Sequence, residues 1–334
     1  MKVLIAPLNW GIGHATRSIP LIEHHLNKGN TVIIASSGNA LDLLKNRFPT
    51  VNNITLPDYR IKYYKKIPVW ASICLQGIRI LKAIKEEHIF IQKYCIKNKI
   101  DLIISDNRYG VYHSGIYSQF ICHQLNPLMP LAIVQRPIEY IHRYLCKGFN
   151  EILVPDYKDP SNRLSGKLSK TTLKWQSKIK FIGPLSHLNF STSENKKTTD
   201  VFVLLSGIEP QRSILEQLII SQIQGINNSV TIVGGKINDN TIPQGNIRYF
   251  SFLNNKRLEQ EINNAKYIIC RSGYSTIMDL HLLKNKILLF IPTPGQTEQE
   301  YLATYLSNKH TNIYMQSQSK LDLKKLIVNV TNNN

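Results

Sequence analysis

The 334-residue chain has no long hydrophobic run: its longest apolar stretches, residues 3–8 and 287–291, are strand-length. A membrane-spanning helix needs about 20 such residues, so the sequence holds no candidate span. The opening Met1-Lys2-Val3-Leu4-Ile5-Ala6-Pro7 carries one early charge and is too short for a signal peptide, so it reads as a first buried strand. Cysteine is scarce as well. Cys74, Cys95, Cys122, Cys146 and Cys270 are odd in number and form no Cys-x-x-Cys pair, which points away from a zinc ribbon or a disulfide scaffold. Reduced thiols in a cytoplasmic protein are expected. Acid is short too: 22 Asp and Glu stand against 41 Lys and Arg, a formal charge of +19. Such a surface attracts anionic partners, whether nucleic acid, lipid or phosphorylated substrate. The joint richness in Lys, Asn and Ile is also what an AT-rich genome produces.

Apolar residues make up 43% of the chain, and its length suits two domains of ordinary size. Short apolar runs alternate with amphipathic stretches, the rhythm of βαβ units and parallel sheets. Strands are predicted over residues 3–8, 31–35, 102–105, 120–122 and 151–154, and the rhythm restarts over 201–205, 230–233, 267–270 and 287–291. The polar stretch 188–200 between the halves reads as a linker, and the closing Asn332–Asn334 reads as frayed. The expected fold is α/β: a Rossmann-like domain over 1–187 and a second over 201–334, with parallel sheets facing across a cleft. Ligands of open α/β sheets sit beyond the carboxyl ends of the strands, so the residues just after each strand matter most.

The first strand runs into Asn9-Trp10-Gly11-Ile12-Gly13-His14-Ala15-Thr16-Arg17. Glycine there permits a tight turn, and a following helix offers free N–H groups. Ile19, Ile22 and Leu26 give that helix an apolar face, Gly29 ends it, and Pro20 requires it to begin near Thr16. A Gly-x-Gly turn is also an ordinary structural device, and the third glycine of the dinucleotide pattern is missing. His14 at the corner raises the signal. In the second half, Cys270 leads into Arg271-Ser272-Gly273-Tyr274-Ser275-Thr276-Ile277-Met278-Asp279. With a helix starting near Gly273, Ser272, Ser275, Thr276 and Asp279 fall on one face, hydroxyls suited to phosphate and an acid suited to ribose. A Ser-capped helix with a solvated acid is the plain alternative. After the next strand, Gln296, Gln299 and Glu300 share a face and offer the donors and acceptors that sugar hydroxyls need. The turn Ser206-Gly207 through Arg212 is a further contact loop.

Together these residues resemble glycosyltransferase family 28, which includes the peptidoglycan N-acetylglucosaminyltransferases and the plant-type galactolipid synthases. The resemblance rests on Gly-x-Gly-His, on Ser206-Gly207, and on Cys270-Arg271-Ser272-Gly273 through Asp279 followed by Gln299. It implies the GT-B fold, a UDP-sugar bound by the C-terminal domain and an acceptor held by the N-terminal one. Carried over, Asp279 matches the ribose-binding acid, with Asp in place of the usual Glu. Arg271, Ser272 and Gly273 match the phosphate-side loop. Gln299 matches the first of a Gln pair on the donor sugar, and Glu300 replaces the second. Residues 249–253, including Phe252 and Leu253, resemble the segment whose backbone reads uracil. The implied reaction moves a hexose or N-acetylhexosamine to the hydroxyl of a lipid-linked or envelope glycoconjugate.

No Asp-x-Asp occurs, so metal-independent transfer is expected, with no cofactor beyond the UDP-sugar co-substrate. An inverting transfer needs one base, and His14 is the candidate. Asp106 could orient it or serve as the base itself. Asn107, Arg108, His123 and Gln124 follow strands in the same half and are acceptor-side candidates, with Gly11, Gly13 and Arg17 in the first loop. The segment 59–94 interleaves Arg60, Lys62, Lys65, Lys66, Arg79, Lys82 and Lys85 with Tyr63, Tyr64, Ile67, Val69, Trp70 and Ile73. That mixture suits peripheral attachment to the anionic inner face of the plasma membrane, and it also suits the solvated face of a core helix. Two other functions fit in outline. A UDP-sugar 2-epimerase shares the fold, although no carboxylate set for proton abstraction stands out. A non-catalytic binder of anionic polymer fits the charge, but no nucleic-acid motif is present and no nucleic-acid partner is expected.

Overall fold

The structure is a computed structural model that describes residues 1–62, 67–170, 173–190, 199–223, 228–235 and 247–325. Residues 63–66 of the basic and aromatic segment, residues 191–198 of the expected linker and Asn332–Asn334 lie outside the described residues. The chain divides into two compact units, Met1–His187 and Leu188–Asn334.

The first unit runs β1 (Lys2–Pro7), α1 (Gly13–Asn27), β2 (Thr31–Ser36), α2 (Gly38–Arg47), β3 (Asn52–Thr55), α3 (Val69–Leu75), α4 (Gly77–Asn98), β4 (Leu102–Asp106), β5 (Tyr117–Ile121), α5 (Ala132–Leu145), β6 (Glu151–Val154) and β7 (Ile179–Phe181). The pairings between its strands are all parallel, in the order β3-β2-β1-β4-β5-β6-β7. Successive side chains of a strand point to opposite faces, and β1 shows the result. Val3 and Ile5 pack with Ala15, Ile19 and Ile22 of α1, while Leu4 and Ala6 pack with Ile91 and Cys95 of α4. Burial on both faces is why this strand reads as an unbroken apolar run. Helix α1 begins at Gly13, three residues ahead of Thr16. Pro20 therefore sits inside it, lacking the N–H that would reach the Thr16 carbonyl.

The second unit runs β8 (Thr199–Leu204), α6 (Gln211–Ile223), β9 (Val230–Val233), β10 (Ile247–Phe250), α7 (Asn255–Asn264), β11 (Ala265–Cys270), α8 (Tyr274–Leu280), β12 (Ile287–Phe290), α9 (Thr297–Lys309) and β13 (Ile313–Met315). Its sheet is also parallel, ordered β10-β9-β8-β11-β12-β13. Val201, Val203 and Leu205 pack on Leu215, Ile219 and Ile223 of α6. Strand β8 already includes Thr199 and Asp200. Each sheet has the doubly wound order, whose switch points lie between β1 and β4 and between β8 and β11. Among the described residues no helix is long and apolar enough to cross a membrane.

Candidate functional site

The switch point of the first unit brings three side chains together. Pro7 and Asp106 pair across β1 and β4, and the Leu8 amide donates to the Asp106 carbonyl at 3.0 Å, so the turn after β1 starts level with the end of β4. Gly11 makes that turn with a φ of +70°, a backbone conformation that favours glycine, and a Cβ there would meet nothing within 4 Å. The chain then enters α1, whose first turn carries His14 and Arg17 three residues apart and so on one face. Both reach Asp106. Arg17 Nε donates to Asp106 Oδ2 at 2.6 Å, its terminal nitrogen Nη2 donates to Oδ1, and His14 Nδ1 lies 3.1 Å from Oδ1. The Ser18 hydroxyl donates to the His14 carbonyl at 2.8 Å and so fixes the backbone beneath the ring.

Burial sets the charges. The Asp106 side chain is 1% exposed and that of His14 12%. Burial alone would push the Asp106 carboxyl up, but the Arg17 guanidinium and then His14 hold it well below the usual carboxylate range. His14 is held below its ordinary 6.5 by burial first, then by Arg17 and His123, with Asp106 opposing. These surroundings favour the neutral form of the ring. His123, just past β5, is buried and close enough to weigh on His14.

The neighbouring candidates differ. Asn107 is half-buried with a φ of +57°. Arg108 is 0% exposed; its guanidinium donates to Glu87, to the Pro57 carbonyl and, at 3.4 Å, to Ser37 Oγ. Glu87 also accepts from the Tyr59 hydroxyl at 2.8 Å and from the Gly110 amide at 3.1 Å. Arg108 thus holds the end of β4 against α4. The signal for this network was present in the sequence: Glu87 falls on the buried stripe Ala83, Ile84, Ile91 and Cys95 of α4, a carboxylate where helical spacing asks for an apolar residue.

The outer faces of α3, α4 and α5 are apolar and basic. Leu75, Ile78 (89% exposed) and Leu81 stand beside the exposed Arg79, Lys82 and Lys85. On α5, Ile133 (83%), Tyr140, Ile141 and Tyr144 are exposed near Arg136 and Lys147. Leu145 at the end of α5 packs against the cluster that holds Ala83 and Ile84 of α4 together with Leu8 and Tyr59.

In the second unit the candidates gather at the carboxyl ends of the strands. Because β8, β11 and β12 are adjacent, the turns carrying Ser206 and Gly207, Arg271 to Asp279, and Gln296 to Glu300 lie side by side. Ser206, Gly273, Ser275, Thr276, Asp279 and Gln296 are half-buried; Gly207, Phe252 and Glu300 are exposed, and Leu253 is half-buried. Four others are occupied by the protein itself. Arg271 donates to the carbonyls of Ile291, Pro292 and Gln211 at 3.0, 3.1 and 2.8 Å and to Gln318 Oε1 at 2.8 Å. The Ser272 hydroxyl donates to the Gln299 carbonyl at 2.8 Å, and Gln299 Oε1 accepts from the Thr293 amide at 2.9 Å. Arg212 pairs with Glu209 and Glu216 and donates to the Gly234 carbonyl at 2.7 Å. These four side chains fix the turns, and Glu300 Oε1 likewise accepts from the Gly295 amide at 2.9 Å.

Comparison with known proteins follows the same division. Residues 208–334 match the model of the glycosyltransferase family 28 C-terminal domain. A curated protein of Methanosarcina acetivorans, named only as an uncharacterized glycosyltransferase, is 20% identical over 317 residues, covering 90% of this chain and 82% of its own length. The crystal structure of MurG from Acinetobacter baumannii superposes with a TM-score of 0.56 at 10% identity, covering 99% of this chain and 90% of that one. That of Arabidopsis thaliana UGT89C1 complexed with UDP-L-rhamnose gives 0.63 at 13% identity, covering 96% and 86%. Likeness at this level shows the fold, which is GT-B.

Proposed function

We propose that this chain, a glycosyltransferase of the GT-B type whose residues 208–334 match the family 28 C-terminal domain, moves a hexose or N-acetylhexosamine from a UDP-sugar to an acceptor hydroxyl. The observation that carries the reading is the placement of His14 Nδ1 3.1 Å from the buried Asp106 carboxylate at the switch point of the first sheet. His14 takes the proton of the acceptor hydroxyl as that oxygen attacks the anomeric carbon. The bond from that carbon to the diphosphate breaks, and UDP leaves with the electron pair. Asp106 orients the ring and stabilises the imidazolium that forms. Both of its oxygens are bound by Arg17, which leaves it this orienting role and not that of base.

The donor belongs to the second unit. Asp279 receives the ribose hydroxyls, the turns carrying Ser206, Ser275 and Thr276 meet the diphosphate, and Gln296 and Glu300 meet the sugar. Backbone amides and hydroxyls there, without a metal ion, meet the charge of the leaving group. UDP as the nucleotide is supported by the family 28 resemblance of residues 208–334. A lipid-linked acceptor and a peripheral place on an anionic membrane are supported by the exposed Leu75, Ile78, Ile133 and Tyr140 among Arg and Lys. The test is a panel of nucleotide sugars, scored by thermal shift and by slow release of nucleoside diphosphate in the presence of chelator. A UDP-sugar should raise the melting temperature through mass action and be hydrolysed. If no UDP-sugar does either, the proposed reaction is wrong.

A further inference from the structure

The His14 ring presents one nitrogen to two neighbours that make opposite demands on it. Arg17 Nη2 lies 2.7 Å from Nδ1, and Asp106 Oδ1 lies 3.1 Å from the same atom. A guanidinium has donors only, so its contact is attractive only where Nδ1 carries a lone pair. A carboxylate has acceptors only, so its contact needs a proton on Nδ1. A neutral ring satisfies one of the two at a time.

The geometry favours the guanidinium. Arg17 is always charged and is locked in place by its two bonds to Asp106. Its contact with Nδ1 falls at the short end of hydrogen-bond distances, whereas 3.1 Å is long for a bond to a carboxylate, which usually closes to about 2.7–2.9 Å. We infer that Arg17 is a positioning residue that holds the resting His14 ring with its proton on Nε2 and its Nδ1 lone pair on the guanidinium, in competition with Asp106. The charged groups that face the ring fit a neutral resting form. Arg17 on α1 and His123 after β5 oppose a second proton, and Asp106 on β4 favours it.

For catalysis the inference rests on the reading of His14 as base. A ring protonated at Nε2 cannot take a proton there. The competent form arises when Nε2 gives its proton to solvent and Nδ1 gains one that it donates to Asp106, with the ring neutral before and after. Arg17 therefore sets how much of His14 is ready to act.

The test is nitrogen NMR on the full chain labelled with ¹⁵N-histidine, at a pH above the ring's titration. The His14 signals are assigned by their loss in His14→Gln. In the unmutated protein Nδ1 should show the shift of an unprotonated ring nitrogen and Nε2 that of a protonated one. In Arg17→Met the two should exchange, and the ring's titration midpoint should move up by about one unit or more, the scale for losing an adjacent like charge. A protonated Nδ1 in the unmutated protein would overturn the inference, and this measurement needs only the assignment variant His14→Gln to fold, not Arg17→Met. The same tautomer in Arg17→Met would overturn it as well. Neither result depends on turnover, so the role of His14 as base stands or falls separately, on the activity of His14→Ala.

Discussion

Asp106 grips Arg17 through both carboxylate oxygens, and the two side chains are almost wholly buried, at 1% and 3% exposure. Buried pairs of this kind are costly to break from one side, because the partner keeps its charge without compensation. Asp106→Asn is expected to lose about 3–5 kcal/mol of stability, read as a lower midpoint in urea with the slope unchanged. The sign with pH follows. A carboxyl held below its unfolded value adds stability above that value and loses it as pH falls through the folded one, so the gap between variant and parent should narrow in strong acid. Equal stability at neutral pH would mean that the pair does not form in solution.

Arg271 separates architecture from substrate contact. Its guanidinium joins the end of β12, the first residue of α6 and Gln318, and burial lowers its pKa to about 10. Arg271→Met should destabilise the protein by about 1–3 kcal/mol for each buried acceptor left unsatisfied, measured by thermal unfolding without nucleotide. Parental stability combined with lost UDP affinity would make Arg271 a phosphate ligand instead.

Much of this was legible in the sequence, for a physical reason. Strands buried on both faces carry apolar residues on both, so β1, β2, β4, β6, β8, β9, β11 and β12 announce themselves through short apolar runs. The edge strands do not. β3 at Asn52–Thr55 has three of its four residues exposed and only Ile54 half-buried, and β7 and β13 are three residues each. The corner positions of His14, Asp106 and Asp279 also follow from the strand rhythm. What the rhythm does not give is direction. Arg17 and Arg108 look alike as basic residues near strand ends, yet one lies against His14 and the other turns inward to Glu87.

Asp279 tests the donor half of the account. It is half-buried on α8, beyond the end of β11. Asp279→Ala should weaken UDP binding by about 1–3 kcal/mol through hydrogen bonds lost from the ribose, read by titration calorimetry. Unchanged affinity would remove it from the site.

The apolar and basic faces of α4 and α5 test the membrane half. Exchanging both Ile78 and Ile133 for Ser should cut binding to anionic vesicles by at least tenfold, since burying one such side chain contributes about 1.5–3 kcal/mol. Flotation at low and high salt reads this. Equal recovery of parent and variant, or equal binding of the parent to neutral and anionic vesicles, would leave the charge without a membrane role.

The most direct measurement is turnover of His14→Ala beside its UDP affinity. General-base catalysis typically contributes about 10²–10⁴-fold, and the proposed donor contacts belong to the second unit. The account predicts a loss of that size in sugar transfer at saturating donor, with UDP binding unchanged. Near-parental turnover would contradict it and reduce His14 to a residue of the turn.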